Sequence, residues 1–381
     1  MKNILVTGSK GFVGKNLIVS LKQIDNYKII EIDSSSSETD LKLAINDADF
    51  IVHLAGVNRP KEISEFYSGN NGLTKKIVDY LIESNKKTPI LITSSIHAES
   101  NTDYGISKKK SEDILIEYSK KYGSNIYIYR LPNLFGKWCK PNYNSVIATF
   151  CHNIANDLEV WIKDPDIELE LVYIDDLINS ILECIENDDI KSNNLIYSRK
   201  LNDNFYEVNT KYNKTLGSIV DSINMFKSMR ETLILPDLSD GFNKALYSTY
   251  LTYLDKNKFS YNLIKNKDDR GWLAELIKSK SFGQIFISKT KPGITRGNHW
   301  HHTKTEKFLV VQGDAVVRFR RVDENDVIEY LVNGESPEVI DIPPGYTHSI
   351  ENIGKDDVIT LFWSNEIFDV ENPDTYFLEV K

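Results

Sequence analysis

Two rhythms of apolar residues divide the chain. Up to about residue 185, short apolar runs alternate with helix-length amphipathic stretches: NILVTG, then 14–24; KIIEID, then 39–47; FIVHLAG, then 72–84; PILITSS, then 104–122; and finally NIYIYRL. Strands separated by helices join through right-handed crossovers into a parallel sheet, so this part predicts an α/β, Rossmann-type doubly wound fold. Residues 216–228 and 240–254 read as further helices, in a lobe covering such a sheet. From about 258 the strands follow one another directly: FGQIFISKT, EKFLVVQG, AVVRFRRV, VIEYLVNG, EVIDIPPG and VITLFWS. Closely spaced strands without helices indicate a small all-β sandwich or barrel. The expected domains are therefore 1–255 and 256–381.

Charge and composition remove several function classes. The 46 Lys and Arg against 55 Asp and Glu give a net charge of −9 with no long block of one sign, which argues against a nucleic-acid-binding surface. No apolar run approaches the ~20 residues needed to cross a bilayer. The N-terminus, MKNILVTGSKGF, passes from one Lys straight into a strand and then glycines, unlike a secretory signal. Cys139, Cys151 and Cys184 form no CxxC pair, so neither a disulfide framework nor a cysteine metal site is expected. A cytoplasmic protein in a reducing compartment fits these features.

Gly8, Ser9, Lys10, Gly11, Phe12, Val13 and Gly14 follow the first strand and open the first helix. Glycines there permit a tight turn and let backbone N–H groups and the helix dipole meet a pyrophosphate, which predicts a dinucleotide site. Asp33 ends the second strand, where a carboxylate accepts from a ribose 2′-OH and repels a 2′-phosphate. Lys10, within the glycine loop, and Ser34 to Ser36 suit a 2′-phosphate instead, so these residues leave NAD and NADP both open. Tyr104 and Lys108 are spaced i,i+4 at the start of a helix, and Ser95 closes the preceding strand. A carbonyl reductase needs such a set. Tyr104 donates a proton to the carbonyl oxygen, Lys108 lowers the tyrosine pKa and holds ribose hydroxyls, and Ser95 hydrogen-bonds the same oxygen.

With VTGSKGFVG, HLAG at 53–56, SS at 94–95, YGISK at 104–108, RLPNLFG at 130–136 and VYIDD at 172–176, the first ~250 residues resemble an extended short-chain dehydrogenase/reductase. The resemblance carries cofactor or catalytic roles onto Gly8, Gly11, Gly14, Ser95, Tyr104 and Lys108. It further implies that His53, Leu54, Ala55 and Gly56 line the cofactor, that Asn133 lies near the substrate, and that the substrate is a nucleotide sugar. The nine positions from Ser95 to Tyr104 are few for that family, which leaves Ser94 as the alternative to Ser95.

Four of the seven histidines, His299, His301, His302 and His348, fall in the β-rich part. His299 and His301 at i,i+2 share one face of a strand, Glu306 follows around the next turn, and His302 faces away. With His348 from a later strand, three imidazoles and one carboxylate suit Zn, Mn or Fe(II). Together with Gly293, Gly313, Pro343, Gly345 and Asn352 these residues resemble the two motifs of a cupin. The interval from Gly334 to Pro343 is long for the second motif, leaving the start of that strand open. Asp269, Arg270 and Gly271 to Glu275, with Arg296, Gly297 and His299, resemble the epimerase and ketoisomerase branch of cupins, in which the position of His299 supplies a base.

A ketone makes the two halves chemically compatible, because it acidifies the neighbouring C–H and is also what a hydride reduces. Enolisation needs the oxyanion charge stabilised, by a metal or by proton donation from a tyrosine such as Tyr346. The pairing of reductase and cupin, with RLPNLFGKWCKPNYNSVIATF and GNHWHHTK, is similar to bifunctional capsular polysaccharide enzymes of the CapF type. That resemblance implies C3 epimerisation of a UDP-linked 4-keto-6-deoxy amino sugar in the cupin, then C4 reduction in the first domain. The product is UDP-2-acetamido-2,6-dideoxy-L-talose, on the way to N-acetyl-L-fucosamine. It also implies zinc, a homodimer and NADP(H) rather than NAD(H), although Asp33 pulls against the last.

Overall fold

The computed structural model describes residues 1–187, 195–263, 266–268, 271–273, 283–366 and 371–381. Asp269, Arg270 and Glu275 lie outside these residues. Two compact units form, and neither is a continuous stretch: the first comprises Met1–Phe135, Asn142–Ser145 and Leu169–Lys214, the second Gly136–Pro141, Val146–Glu168 and Thr215–Lys381.

In the first unit β1 (Lys2–Thr7), α1 (Phe12–Leu21), β2 (Tyr27–Ile32), α2 (Glu38–Asp47) and β3 (Phe50–His53) alternate as the apolar pattern predicts. A short α3 (Ser64–Phe66) runs through a π-helical turn at Tyr67–Gly72 into α4 (Leu73–Glu83), followed by β4 (Ile90–Ser95), α5 (Asp103–Tyr122) and β5 (Ile126–Leu131). The chain continues through β6 (Asn133–Phe135), then α6 (Val146–Ala155), which belongs to the second unit, and returns with β7 (Glu168–Tyr173), α7 (Ile174–Glu186), β8 (Ser198–Lys200), β9 (Phe205–Val208) and β10 (Tyr212–Thr215). A seven-stranded sheet has the order β2-β1-β3-β4-β5-β9-β8, parallel except for the β8–β9 pair. Ile4, Leu5 and Val6, like Phe50, Ile51 and Val52, are wholly buried, because helices cover both faces of such a sheet. The strand order reverses between β1 and β3, and at that switch point the ends of adjacent strands leave a crevice.

The second unit holds α6, α8 (Leu216–Thr232), α9 (Gly241–Leu251) and the strands from β11 (Ser260–Asn262) onward. These are β12 (Asn266–Asp268), β13 (Gly271–Leu273), β14 (Gln284–Thr290), β15 (Thr295–Trp300), β16 (Glu306–Gln312), β17 (Asp314–Arg321), β18 (Val327–Asn333), β19 (Glu338–Ile342), β20 (Tyr346–Asn352), β21 (Val358–Ser364) and β22 (Tyr376–Phe377). Two five-stranded antiparallel sheets form, β11-β19-β16-β21-β14 and β18-β17-β20-β15-β22. Their inner faces meet where the Phe308 ring of β16 lies 5.5 Å from the His348 ring of β20. Packing groups the chain differently from the texture-based division at 255/256, since three helices that precede this point associate with the antiparallel sheets. One reason is visible. Arg230 of α8 reaches Asp341 of β19 at 2.5 Å, and Asp341 also pairs with the buried Lys307 of β16.

Candidate functional site

The first constellation gathers at the switch point. Gly8 has φ of +70°, and a Cβ there would sit 2.7 Å from the Ala55 nitrogen; a Cβ at Gly14 would meet the Gly8 carbonyl oxygen at 2.3 Å. Both positions therefore exclude a side chain. Gly11 caps α1 without any side-chain hydrogen bond, so the first-turn N–H groups stay available for an anion. Phe12 and Val13 form that first turn and are half-buried. A cleft of about 650 Å³ opens beside the loop, lined among others by Gly8, Lys10, Gly11, Asp33, Leu54, Ala55 and Gly56. Lys10 and Asp33, which give opposite sequence cues, pair at 2.8 Å. The bond from Lys10, with further bonds from Ser35, lowers the Asp33 carboxyl to about 2. His53 lies beneath the cleft, 1% exposed, with its ring between Thr7 Oγ1 at 2.7 Å and Thr74 Oγ1 at 3.0 Å. Burial, helped by the charge of Lys108, takes its imidazole down to about 3, so it is neutral.

Helix α5 begins where Thr102 accepts a hydrogen bond from the Gly105 N–H, which places Tyr104 in the first turn. Tyr104, Lys108 and Glu112 then follow at four-residue spacing along one face. Burial raises the Tyr104 phenol, and a hydrogen bond with Ser95 opposes that rise. Ser94 is committed elsewhere: its hydroxyl donates to Glu112 Oε1 at 2.6 Å in the interior. The local geometry thus pairs Ser95, not Ser94, with Tyr104. Lys108 donates to the Thr93 carbonyl at 3.2 Å, and burial lowers its ammonium to about 8 against the opposing pull of Glu112. Asn133, the first residue of β6, is exposed.

Two residues near this face escape a reading by motif. Asn70, on the π-helical turn, accepts from the Val57 N–H at 2.8 Å and donates to Ser107 Oγ at 2.8 Å, tying the HLAG loop to α5. Glu112 receives a two-pronged contact from Arg130, Nε at 2.9 Å and Nη2 at 2.7 Å. Their sequence signals, an Asn-Asn-Gly before α4 and a Glu four places after Lys108, read equally well as a loop and a solvated helix face.

The second constellation is entirely within the second unit. His299, His301, Glu306 and His348 bring four ligand atoms within 4.8 Å of one another. His299 and His348 pair across β15 and β20, His301 lies just past the end of β15, and Glu306 begins β16. A bulge between Gly297 and His299 interrupts the strand, so β15 is not the regular ladder that a simple i,i+2 reading assumes. His302 turns away and makes edge-to-face contacts with Trp300 and Tyr376, at centroid distances of 4.6 and 5.1 Å. The Nε2 atoms of His301 and His348 approach Glu306 Oε2 to 3.3 and 3.4 Å, yet both nitrogens are buried without a hydrogen bond. Converging lone pairs that do not bond one another are what a cation would satisfy, so the donor set fits a zinc-type ion. Burial, with His348 and His301 close by, brings the His299 imidazole to about 3, and burial likewise lowers His348. Tyr346 opens β20 two residues before His348, its ring 5.3 Å from Phe259, and burial pushes its phenol up to about 12.

Residues 4–198 match the NAD dependent epimerase/dehydratase family, and residues 266–376 match the polysaccharide biosynthesis C-terminal domain. The chain is 40% identical over 377 residues to the UDP-2-acetamido-2,6-beta-L-arabino-hexul-4-ose reductase of Pseudomonas aeruginosa, covering 99% of this chain and 98% of that protein. It is 49% identical to the capsular polysaccharide assembling protein CapF of Staphylococcus aureus, whose crystal structure it matches over 99% of this chain and 100% of that one with a TM-score of 0.67. The chain belongs to the CapF-type family. The first of these matches makes the parallel-sheet unit one of a nicotinamide-dependent family. A UDP-glucuronic acid 4-epimerase of Bacillus cereus, 17% identical with a TM-score of 0.51 over 59% of this chain, shares the fold of that unit. Among the described residues no helix is long and apolar enough to cross a membrane.

Proposed function

We propose that the chain acts twice on one UDP-2-acetamido-2,6-dideoxy-4-ketohexose, epimerising C3 in the antiparallel sheets, which form a cupin, and reducing C4 in the parallel-sheet unit. The product is the UDP-linked L-talo amino sugar, for capsular or other surface polysaccharide. One observation carries the reading: a Ser95–Tyr104–Lys108 set beside a dinucleotide-sized cleft and a second, separate cluster of four metal-type ligands occur in one chain.

In the second unit His299, His301, Glu306 and His348 would hold zinc, which would supply Lewis acidity for the enolisation. The base role that the cupin resemblance gives His299 competes with its role as a ligand, because an imidazole with its lone pair on the ion cannot take a proton; to act as base, His299, less buried than the other three, would have to leave the ion. Tyr346, whose buried phenol is pushed up to about 12, is the proton donor of this reading. In the first unit the cleft beside Gly8, Gly11 and Gly14 would hold a nicotinamide cofactor, which would supply the hydride. Tyr104 donates the proton that turns the carbonyl oxygen into a hydroxyl, Ser95 hydrogen-bonds the same oxygen, and Lys108 restores the tyrosine. Asn133 contacts the sugar. The cofactor is NADP(H), accepted through Lys10, and the assembly is a homodimer, which light scattering of the purified protein checks.

A second reading has an observation of its own. Four protein ligands would fill the coordination that zinc has in structural rather than catalytic centres, so the cupin would only brace the protein. Proton NMR of the UDP-4-keto sugar in D₂O decides between them. Deuterium entering C3 before NADPH is added, and a C4 alcohol after, supports the two-step reading. Reduction without exchange leaves the second unit a structural role, and no change in either stage rejects the substrate class.

A further inference from the structure

The four-ligand cluster is braced by a segment that neither strand motif contains. Asp374, in the tail after residue 371, meets the turn that joins His301 to Glu306. Its carboxylate accepts from the His302 N–H at 2.8 Å, the Thr303 N–H at 2.7 Å, the Lys304 N–H at 2.6 Å and the Thr303 hydroxyl at 3.0 Å. Three consecutive backbone donors converging on one carboxylate fix the path of that turn. The Asp374 carbonyl oxygen lies 2.5 Å from His301 Nδ1. A carbonyl can only accept, so Nδ1 carries the proton and Nε2, which faces the cluster, carries the lone pair.

The tail is held along its length. Lys304 Nζ donates to Thr375 Oγ1 at 2.8 Å. Tyr376 and Phe377 pair with Trp300 and His299 as β22. The Leu378 N–H donates to the Asn298 carbonyl at 2.9 Å, and Arg320 Nε donates to the Val380 carbonyl at 3.0 Å. The strand bearing His299 and the turn bearing His301 thus both lean on the last residues of the chain.

We propose that Asp374 is the positioning residue of the metal centre, fixing the turn between His301 and Glu306 with its carboxylate and aiming His301 Nε2 at the ion with its carbonyl. The proposal rests on the zinc reading of the cluster. Outer-shell partners of metal-bound histidines typically contribute 10- to 100-fold in affinity. The test uses the full chain as wild type, Asp374→Ala and Asp374→Asn, each stripped of metal and titrated with zinc against a chromogenic chelator. Zinc binding is expected to weaken by about 10- to 100-fold in Asp374→Ala and by less in Asp374→Asn, which keeps one acceptor oxygen. The d–d spectrum of the cobalt-loaded variants is expected to change with it. Wild-type affinity and an unchanged cobalt spectrum in either folded variant overturn the proposal, even if the thermal midpoint of the metal-free protein falls. If Asp374→Ala does not fold, the isosteric Asp374→Asn decides. A wild type that binds no zinc stoichiometrically instead rejects the metal reading itself.

Discussion

The two candidate sites differ in how their buried polar groups are satisfied. Around Lys108 the groups answer one another: the ammonium has the Thr93 carbonyl, Ser94 and Arg130 have Glu112, and His53 has two threonines. What stays open is a cleft and the uncapped start of α1. In the histidine cluster two buried imidazole nitrogens have no partner. An organic cofactor must enter and leave, so its site is a surface crevice over settled machinery. An ion completes the valence of the protein's own atoms, so its site looks unfinished without it.

The sharpest way to break this comparison is to disable one site and watch the other. Tyr104→Phe removes the proton donor and is expected to slow C4 reduction by about 10²- to 10⁴-fold while C3 exchange in D₂O continues unchanged. Loss of exchange as well would merge the two sites into one. Next in size is the ion triad of the second unit. Asp341→Ala leaves Lys307 and Arg230 without their carboxylate in the interior, and should destabilise that unit by about 3–5 kcal/mol, read by urea unfolding. Replacing Lys307 and Asp341 together by Met and Leu should recover much of the loss. A single-variant effect below about 1 kcal/mol would mean that the triad is not what binds α8 to the sheets.

Proton traffic sharpens the same contrast in the first unit. Lys108 titrates near 8 because burial penalises its charge, and it must be protonated to support Tyr104. The reduction rate should therefore be level below about pH 8 and fall about tenfold per unit above it. Facing Lys108 are the Glu112 carboxylate from its own helix, which raises its pKa, and the neutral His53 from β3. Glu112→Gln removes the charge that raises it, so the falling limb should move to lower pH. An unmoved limb would show that this charge does not reach Lys108.

Much of this was legible because it repeats at short range. The runs NILVTG, KIIEID, FIVHLAG, PILITSS and NIYIYRL all became strands of the parallel sheet, and the i,i+4 spacing of Tyr104 and Lys108 needs only a helix to be realised. Long-range pairing was not legible. The grouping of α6, α8 and α9 with the antiparallel sheets depends on contacts such as Arg230 with Asp341, 111 positions apart. Asp374 is 73 positions from His301, and nothing in NPDTY announces which turn it will meet. The choice between Ser94 and Ser95 depends on such a contact too, since Glu112, 18 positions on, takes the Ser94 hydroxyl and leaves Ser95 for Tyr104.

The smallest predicted effect concerns Lys10 and Asp33, where opposed sequence cues meet in one ion pair. The Lys10 side chain is 71% exposed and Asp33 14%, so the lysine is the partner free to swing while Asp33 is held by Ser35. With NADH, Asp33 takes the ribose 2′-OH and Lys10 has no role. With NADPH, Lys10 leaves Asp33 for the 2′-phosphate and screens the repulsion between the two anions. Lys10→Ala should accordingly raise KM for NADPH roughly two- to fivefold, leaving KM for NADH and both kcat values near wild type. Asp33→Ala should do the reverse, weakening NADH and favouring NADPH. Since the contact is exposed, added salt should shrink the difference between the two cofactors in the wild type and leave it unchanged in Lys10→Ala. Equal effects of Lys10→Ala on both cofactors would place the pair away from the 2′ position and remove the basis for preferring NADP(H).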